Sequence, residues 1–199
     1  MGRGIRERTV LLFFCGIFLV SSGAYPKEAP GGLKIGFQEI GFFNGYGKGD
    51  LESHKTLEYI PLGVRFGFDL RPLGKKLGWE PKGLLEFGCE PYIGYNLQPK
   101  DHMEFGLAFF VRYGFPLTEK LYPFIELGTG PYYMTWSTHD QSTQFNFNSQ
   151  GGLGILYLLE SHWAVNTAFR FRHVSNADIK KPNGGIENLV YLLGFSYHY

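Results

Sequence analysis

The chain has 199 residues, of which 19% are charged, 18% are aromatic and 28 are glycine, and its formal net charge is +1. Glycine and aromatics fill helices poorly and the apolar content is too high for a solvated coil, which excludes a helical bundle, a coiled coil and intrinsic disorder. The near-neutral charge offers no basic surplus for nucleic acid, and two cysteines, Cys15 and Cys89, are too few for a disulfide framework.

The first 24 residues read as an export signal. Arg3, Arg6 and Arg8 form a basic start, residues 9–20 are almost purely apolar, and Ser22-Gly23-Ala24 supply a small-residue exit before Tyr25. The apolar run is too short to cross a bilayer as a helix, so a cleaved segment is preferred to a retained anchor or a buried helix. Its removal takes three Arg and one Glu from 19 basic and 18 acidic residues, leaving 16 and 17, and it leaves Cys89 without a partner in the chain. Residues 25–199 are expected to form one domain, with no linker, low-complexity tract or fixed-period repeat.

Beyond that segment no stretch is apolar enough for a membrane helix, and the recurring signal is alternation. Between residues 60 and 70, Ile60, Leu62, Val64, Phe66, Phe68 and Leu70 oppose Pro61, Gly63, Arg65, Gly67 and Asp69. The split recurs over 85–95 and again over 103–115, where Met103, Phe105, Leu107, Phe109, Val111, Tyr113 and Phe115 oppose Glu104, Gly106, Ala108, Phe110, Arg112 and Gly114. Large apolar residues on one face and glycine with charge on the other suit a barrel with lipid outside and a narrow polar interior better than a soluble sandwich. Eight such segments fall near 33–44, 57–71, 83–96, 103–115, 121–136, 143–158, 162–175 and 187–199. The expected fold is therefore all-β: an eight-stranded antiparallel transmembrane barrel of the bacterial outer membrane, filled by side chains and not open as a channel. The inward parity gathers Arg65, Asp69, Glu86, Glu90, Glu104, Arg112, Glu126, Arg170 and Arg172, better read as a mutually neutralising network than as paired catalytic carboxylates.

With both termini periplasmic, the connections near 45–56, 97–102, 137–142 and 176–186 face outside and those near 72–82, 116–120 and 159–161 face the periplasm. The amphipathic ending Tyr191, Leu193, Phe195, Tyr197, Tyr199 is similar to the signal by which outer-membrane barrels are recognised for assembly.

Chemistry concentrates in Phe169 to Leu189, FRFRHVSNADIKKPNGGIENL. The outward parity of the seventh segment continues from Phe169 and Phe171 to His173 and Ser175, and that of the eighth extends back from Leu189 to Glu187. Three polar residues thus interrupt a lipid-facing surface, where ionisable groups are costly and default to function. One strand face brings a hydroxyl near an imidazole and the neighbouring strand supplies a carboxylate, the arrangement of a serine hydrolase with Ser175 as nucleophile, His173 as base and Glu187 as its orienting acid. The bland alternative is a set of rim residues touching headgroups and water.

The stretch also resembles the signature of the lipid A 3-O-deacylase family, the PagL-type enzymes, in its core His173-Val174-Ser175-Asn176-Ala177 and in Glu187 twelve positions after the serine. The resemblance implies an eight-stranded outer-membrane barrel in which Ser175, His173 and Glu187 are catalytic and Asn176 and Ala177 contribute to the oxyanion site. Asp178 stands where some members carry Gly, which leaves the exact donors open. It further implies hydrolysis of the ester-linked 3-O-acyl chain of lipid A, releasing a 3-hydroxy fatty acid. Lipopolysaccharide in the outer membrane is then the substrate, and the site faces the outer leaflet. Lys180 and Lys181 are candidates for the lipid phosphates, and Phe169, Phe171 and Leu189 for the acyl chain. No cofactor is expected, and no metal, because His54, His102, His139, His162 and His198 are scattered. A homodimer is compatible with such a barrel. The competing readings are a structural or adhesive barrel without chemistry and a phospholipase or acyltransferase on a similar scaffold.

Overall fold

The structure is a computed structural model that describes residues 36–51, 55–136, 138, 141–159 and 162–199. The expected export segment 1–24 lies outside the described residues, as do His54 and His139. Eight strands follow in order: β1 (Phe37–Asp50), β2 (Thr56–Asp69), β3 (Leu84–Gln98), β4 (His102–Gly114), β5 (Leu121–Met134), β6 (Phe145–Leu158), β7 (Trp163–Ser175) and β8 (Ile186–His198). Each pairs with its sequence neighbour and β8 returns to β1, closing an antiparallel barrel. Closure leaves no edge, so every strand has a hydrogen-bonding neighbour on both sides, which a sheet facing hydrocarbon requires.

Strand bounds agree with the alternation except at the first strand, which runs to Asp50 and not to residue 44. Gly45, Gly47 and Gly49 look like a loop in sequence, yet they sit in the β1 ladder opposite Leu192, Val190 and Asn188 of β8. The lumen explains them: a Cβ on Gly47 would lie 2.0 Å from the Tyr59 ring, so the glycine is what lets that ring pass. A short helix α1 (Arg71–Lys76), with a proline in its first turn, occupies the β2–β3 connection that the sequence leaves as a turn.

Polarity is inverted relative to a soluble domain. Leu127 is 72% exposed and Leu153 61% on the outer face, whereas Glu39, Glu86, Glu104, Glu126, Arg112 and Arg172 are buried inside. Five glutamates and four arginines fill the lumen. Asp69 is not among them, because it lies at the end of β2 and pairs with Arg71 at 2.8 Å. Glu39 of β1 is buried there as well; it lies inside the expected segment 33–44, but both parities of that segment carry large apolar residues, so its inward face did not stand out. Glu126 is the hub: its Oε1 accepts from Arg170 Nε (2.6 Å), and its Oε2 accepts from Arg65 Nη2 (3.0 Å) and Arg112 Nε (3.3 Å). Arg170 also lies over the Phe110 ring at 4.1 Å and Arg112 over Phe124 at 4.2 Å, so the guanidinium faces as well as their edges are covered.

This interior sets the phase of β7. Arg170 reaches Glu90 and Glu126, while Arg172 reaches Glu104 Oε1 (2.6 Å) and Asn188 Oδ1 on β8 (2.7 Å). A slip of one residue would turn both guanidiniums out to the apolar side, so the inward arginines hold Phe171, His173 and Ser175 outward.

Candidate active site

His173 and Glu187 are direct register partners across β7 and β8. His173 Nδ1 lies 3.6 Å from Glu187 Oε1, with the imidazole 40% and the carboxylate 65% exposed on the outer face. Ser175 is the last residue of β7, on the same face, about 7 Å along the strand from His173 by strand rise. No side-chain hydrogen bond of Ser175 or His173 occurs among the described residues. With Nδ1 turned to Glu187, Nε2 is the ring nitrogen left for a hydroxyl proton.

The imidazole is seated from the other side by Gly185. That residue is buried, has φ +85°, and a Cβ added to it would lie 2.8 Å from His173 Cε1. Both the backbone conformation and the close approach select glycine.

The β7–β8 loop is stitched to the loop between β5 and β6. Buried Asn176 donates from its side chain to Ser142 Oγ (3.2 Å) and Lys180 O (2.8 Å). Ser142 Oγ donates to the same Lys180 carbonyl (2.9 Å), and Gln141 bridges to Asn183. The backbone N–H of Asn176 donates to Asn183 Oδ1 (3.0 Å), so it is already engaged and is not a free oxyanion donor. The Asn176 side chain ties the two loops together. Immediately after it, Ala177 and Asp178 take φ +53° and +64°, and their backbone N–H groups have no acceptor among the described residues. Ile179 N–H donates back to Asn176 O (3.1 Å), which closes residues 176–179 as a tight turn.

Asp178 does not intrude there as a loose carboxylate. Lys181 Nζ bonds its Oδ1 at 2.6 Å and Asn183 Nδ2 at 3.3 Å, and these donors hold the carboxyl below its usual range. Lys181 is therefore occupied, whereas Lys180 offers an exposed side chain without a partner among the described residues. Phe171 and Leu189 are 45% and 42% exposed and face each other across the two strands, while Phe169 packs on Tyr191 with ring centroids 4.9 Å apart. Among the described residues no three His, Cys, Asp or Glu side chains converge as a metal site.

Two residues of the neighbourhood escaped the sequence reading. Ser149 on β6 is the register partner of His173 on the side away from Glu187, and Thr129 on β5 is the partner of Ser149. Their hydroxyls lie 3.1 Å apart on the exposed face. Ser149 breaks the outward apolar parity of β6, the same signal that marks His173, and was legible on that criterion.

A closed eight-stranded barrel with an apolar exterior, a packed ionic lumen and a polar constellation on its outer wall defines the class of small outer-membrane barrels. Within that class, the sequence model described as lipid A 3-O-deacylase (PagL) matches residues 58–196, and the chain belongs to this family. Among solved structures it is similar to that of the outer membrane enzyme PagL, at 22% identity and TM-score 0.57, covering 80% of this chain and 98% of that one. Neisserial surface protein A (NspA) shares the fold at 9% identity and TM-score 0.63, covering 81% of this chain and 97% of that one. No curated protein matches the chain significantly.

Proposed function

We propose that the protein is an outer-membrane serine esterase that removes the 3-O-linked acyl chain of lipid A, with Ser175, His173 and Glu187 as its triad. The observation that carries the reading is the His173–Glu187 pair at 3.6 Å, two residues along the strand from Ser175, on a largely apolar outer face. Ionisable groups on such a face are costly unless they act. Membership of the family supplies the substrate class.

Ser175 Oγ attacks the ester carbonyl carbon while its proton passes to His173 Nε2. Glu187 holds the ring by Nδ1–H and stabilises the imidazolium. The Ala177 and Asp178 N–H groups receive the developing oxyanion, a job that backbone donors do without reorganising. The carbon–oxygen bond to the sugar breaks, His173 returns the proton to the sugar oxygen, and the acyl group stays on Ser175. Water, deprotonated by His173, then releases the 3-hydroxy fatty acid and restores the serine. Phe171 and Leu189 line the acyl path, and Lys180 is the cation available to a lipid phosphate. In the same reading residues 1–24 are a cleaved export segment, and the rim bearing the β7–β8 loop faces the outer leaflet.

The test is expression in a host whose outer membrane contains lipopolysaccharide, followed by mass spectrometry of lipid A. One ester-linked hydroxyacyl chain is expected to be lost. Unchanged lipid A beside a folded, inserted barrel would overturn the reading.

The seat of the imidazole gives a narrower prediction. Gly185→Ala adds a methyl that meets the His173 ring and forces alanine into the left-handed region, at a cost of about 1–2 kcal/mol in stability. Displacement of the ring is expected to slow deacylation by about 100-fold, since misplacements of an ångström near the chemistry have that effect. Initial rates on purified lipopolysaccharide, set beside the urea midpoint of the barrel, separate the two consequences.

A further inference from the structure

A polar row crosses the outer wall at the level of His173. It runs through register partners from Glu187 on β8 to His173 on β7, Ser149 on β6 and Thr129 on β5. Glu187 is the second residue of its strand, His173 the third from the end of β7, Ser149 the fifth of β6 and Thr129 the sixth from the end of β5. The row therefore descends from the loop rim into the apolar belt. Beyond Thr129 it stops at Phe109.

Ser149 and Thr129 hydrogen-bond each other, which uses one hydroxyl proton of the two. The other proton has no acceptor among the described residues, on a face where neighbouring hydrocarbon offers none. A donor left bare in such surroundings is costly. The wall beside this pair is also indented. Below Ser149 on the same strand face comes Gly151, flanked by Phe171 on β7 and Leu127 on β5. A Cβ placed on Gly151 would meet only Leu127 Cδ2, at 3.0 Å, so the position is open to the outside. Ser149 and Gly151 thus floor a furrow that starts diagonally from Ser175, at about 7–8 Å by sheet geometry.

We infer that Ser149, oriented by Thr129, is a specificity residue that recognises the hydroxyl of the acyl chain being removed. The inference rests on the serine-esterase reading above, which places the scissile carbonyl at Ser175. A 3-hydroxyacyl chain carries its hydroxyl on the second carbon beyond that carbonyl and is plain hydrocarbon thereafter. Laid from Ser175 across the β6–β7 step, such a chain brings its hydroxyl to Ser149 and its methylenes over Gly151, between Phe171 and Leu127. The substrate hydroxyl accepts the proton that the Ser149–Thr129 pair leaves free. A chain lacking the hydroxyl leaves that donor bare, and a site built to bond a hydroxyl discriminates against the analogue without one.

The experiment compares two synthetic 3-O-acyl glucosamine phosphates, one with a 3-hydroxyacyl chain and one with a plain chain of equal length, in mixed micelles with the full-length, folded protein. The wild type is expected to favour the hydroxyacyl ester by about tenfold in kcat/KM, the scale of one hydrogen bond exposed to lipid. Ser149→Ala should abolish the preference by slowing the hydroxyacyl ester alone, and Ser149→Thr, which keeps a hydroxyl, should restore most of it. Equal slowing of both esters would mean that Ser149 only props His173, and an unchanged preference would mean that it reads nothing; either overturns the inference. Should Ser149→Ala fail to fold, as judged by unheated gel mobility, Thr129→Val reports through the same ratio. A partial loss of preference is expected there, and none counts against the proposal. Ser175→Ala, run in parallel, tests the underlying reading separately, because retained turnover in that variant would remove the esterase mechanism whatever Ser149 does.

Discussion

Ser175→Ala is expected to lower release of the acyl chain by about 1,000-fold or more while the barrel still folds and inserts, because on the proposed mechanism it removes the nucleophile and leaves only binding and oxyanion stabilisation. The side chain is half-buried at the end of β7 and makes no hydrogen bond among the described residues, so its truncation costs the fold little. His173→Ala should be as severe, and the double variant no worse than either single one, since members of a triad act as a unit. Glu187→Gln should be milder, because the carboxylate orients and stabilises the ring but holds it at 3.6 Å, longer than a charge-assisted hydrogen bond. Mass spectrometry of lipid A from cells carrying each variant measures all four. Additive losses in the double variant, or turnover surviving in Ser175→Ala, would show that the three residues do not work together.

Glu126→Ala should give the largest loss of stability. Glu126 is 1% exposed and lies between Arg65, Arg112 and Arg170, with contacts of 3.0, 3.2 and 2.6 Å. Its removal leaves three buried guanidiniums short of an anion, and breaking a buried pair in this way typically costs about 3–5 kcal/mol. Glu126→Gln keeps the volume and some of the hydrogen bonds, so it should cost less. Urea titration of the purified barrel in detergent micelles provides the comparison. A midpoint for Glu126→Ala within error of the wild type would mean that Glu39, Glu86 and Glu90 share the neutralisation without a hub.

Most of the fold was legible because a barrel in lipid writes a period-two code into every strand. Seven of the eight strands needed adjustment only at their ends. The first strand failed because its glycines, required where Tyr59 and the β8 backbone approach, carry the composition of a turn. Glu39 was hidden separately, by a first segment whose two parities are both partly apolar, and Asp69 was placed in the lumen by the parity of the second segment, whereas at the strand end it pairs with Arg71. At the site, parity alone places His173 and Glu187 on one face, and the two are register partners across β7 and β8. Contacts between loops were not legible: nothing in the sequence says that Asn183 takes the Asn176 N–H, or that Ser142 and Asn176 share the Lys180 carbonyl. Such contacts depend on which loops meet at a rim, and residue type and spacing do not carry that information.

The filled lumen has a kinetic consequence. Among the described residues, Arg65, Arg112, Arg170 and Arg172 with their glutamates pack the barrel axis, so on the proposed function substrate would reach the outer wall laterally, within one leaflet. For an enzyme placed this way the relevant concentration is the mole fraction of substrate in the surface and not its amount per volume. On the proposed function, diluting lipopolysaccharide with inert detergent is expected to slow turnover even at constant bulk concentration, and the released fatty acid would start its life as a membrane component.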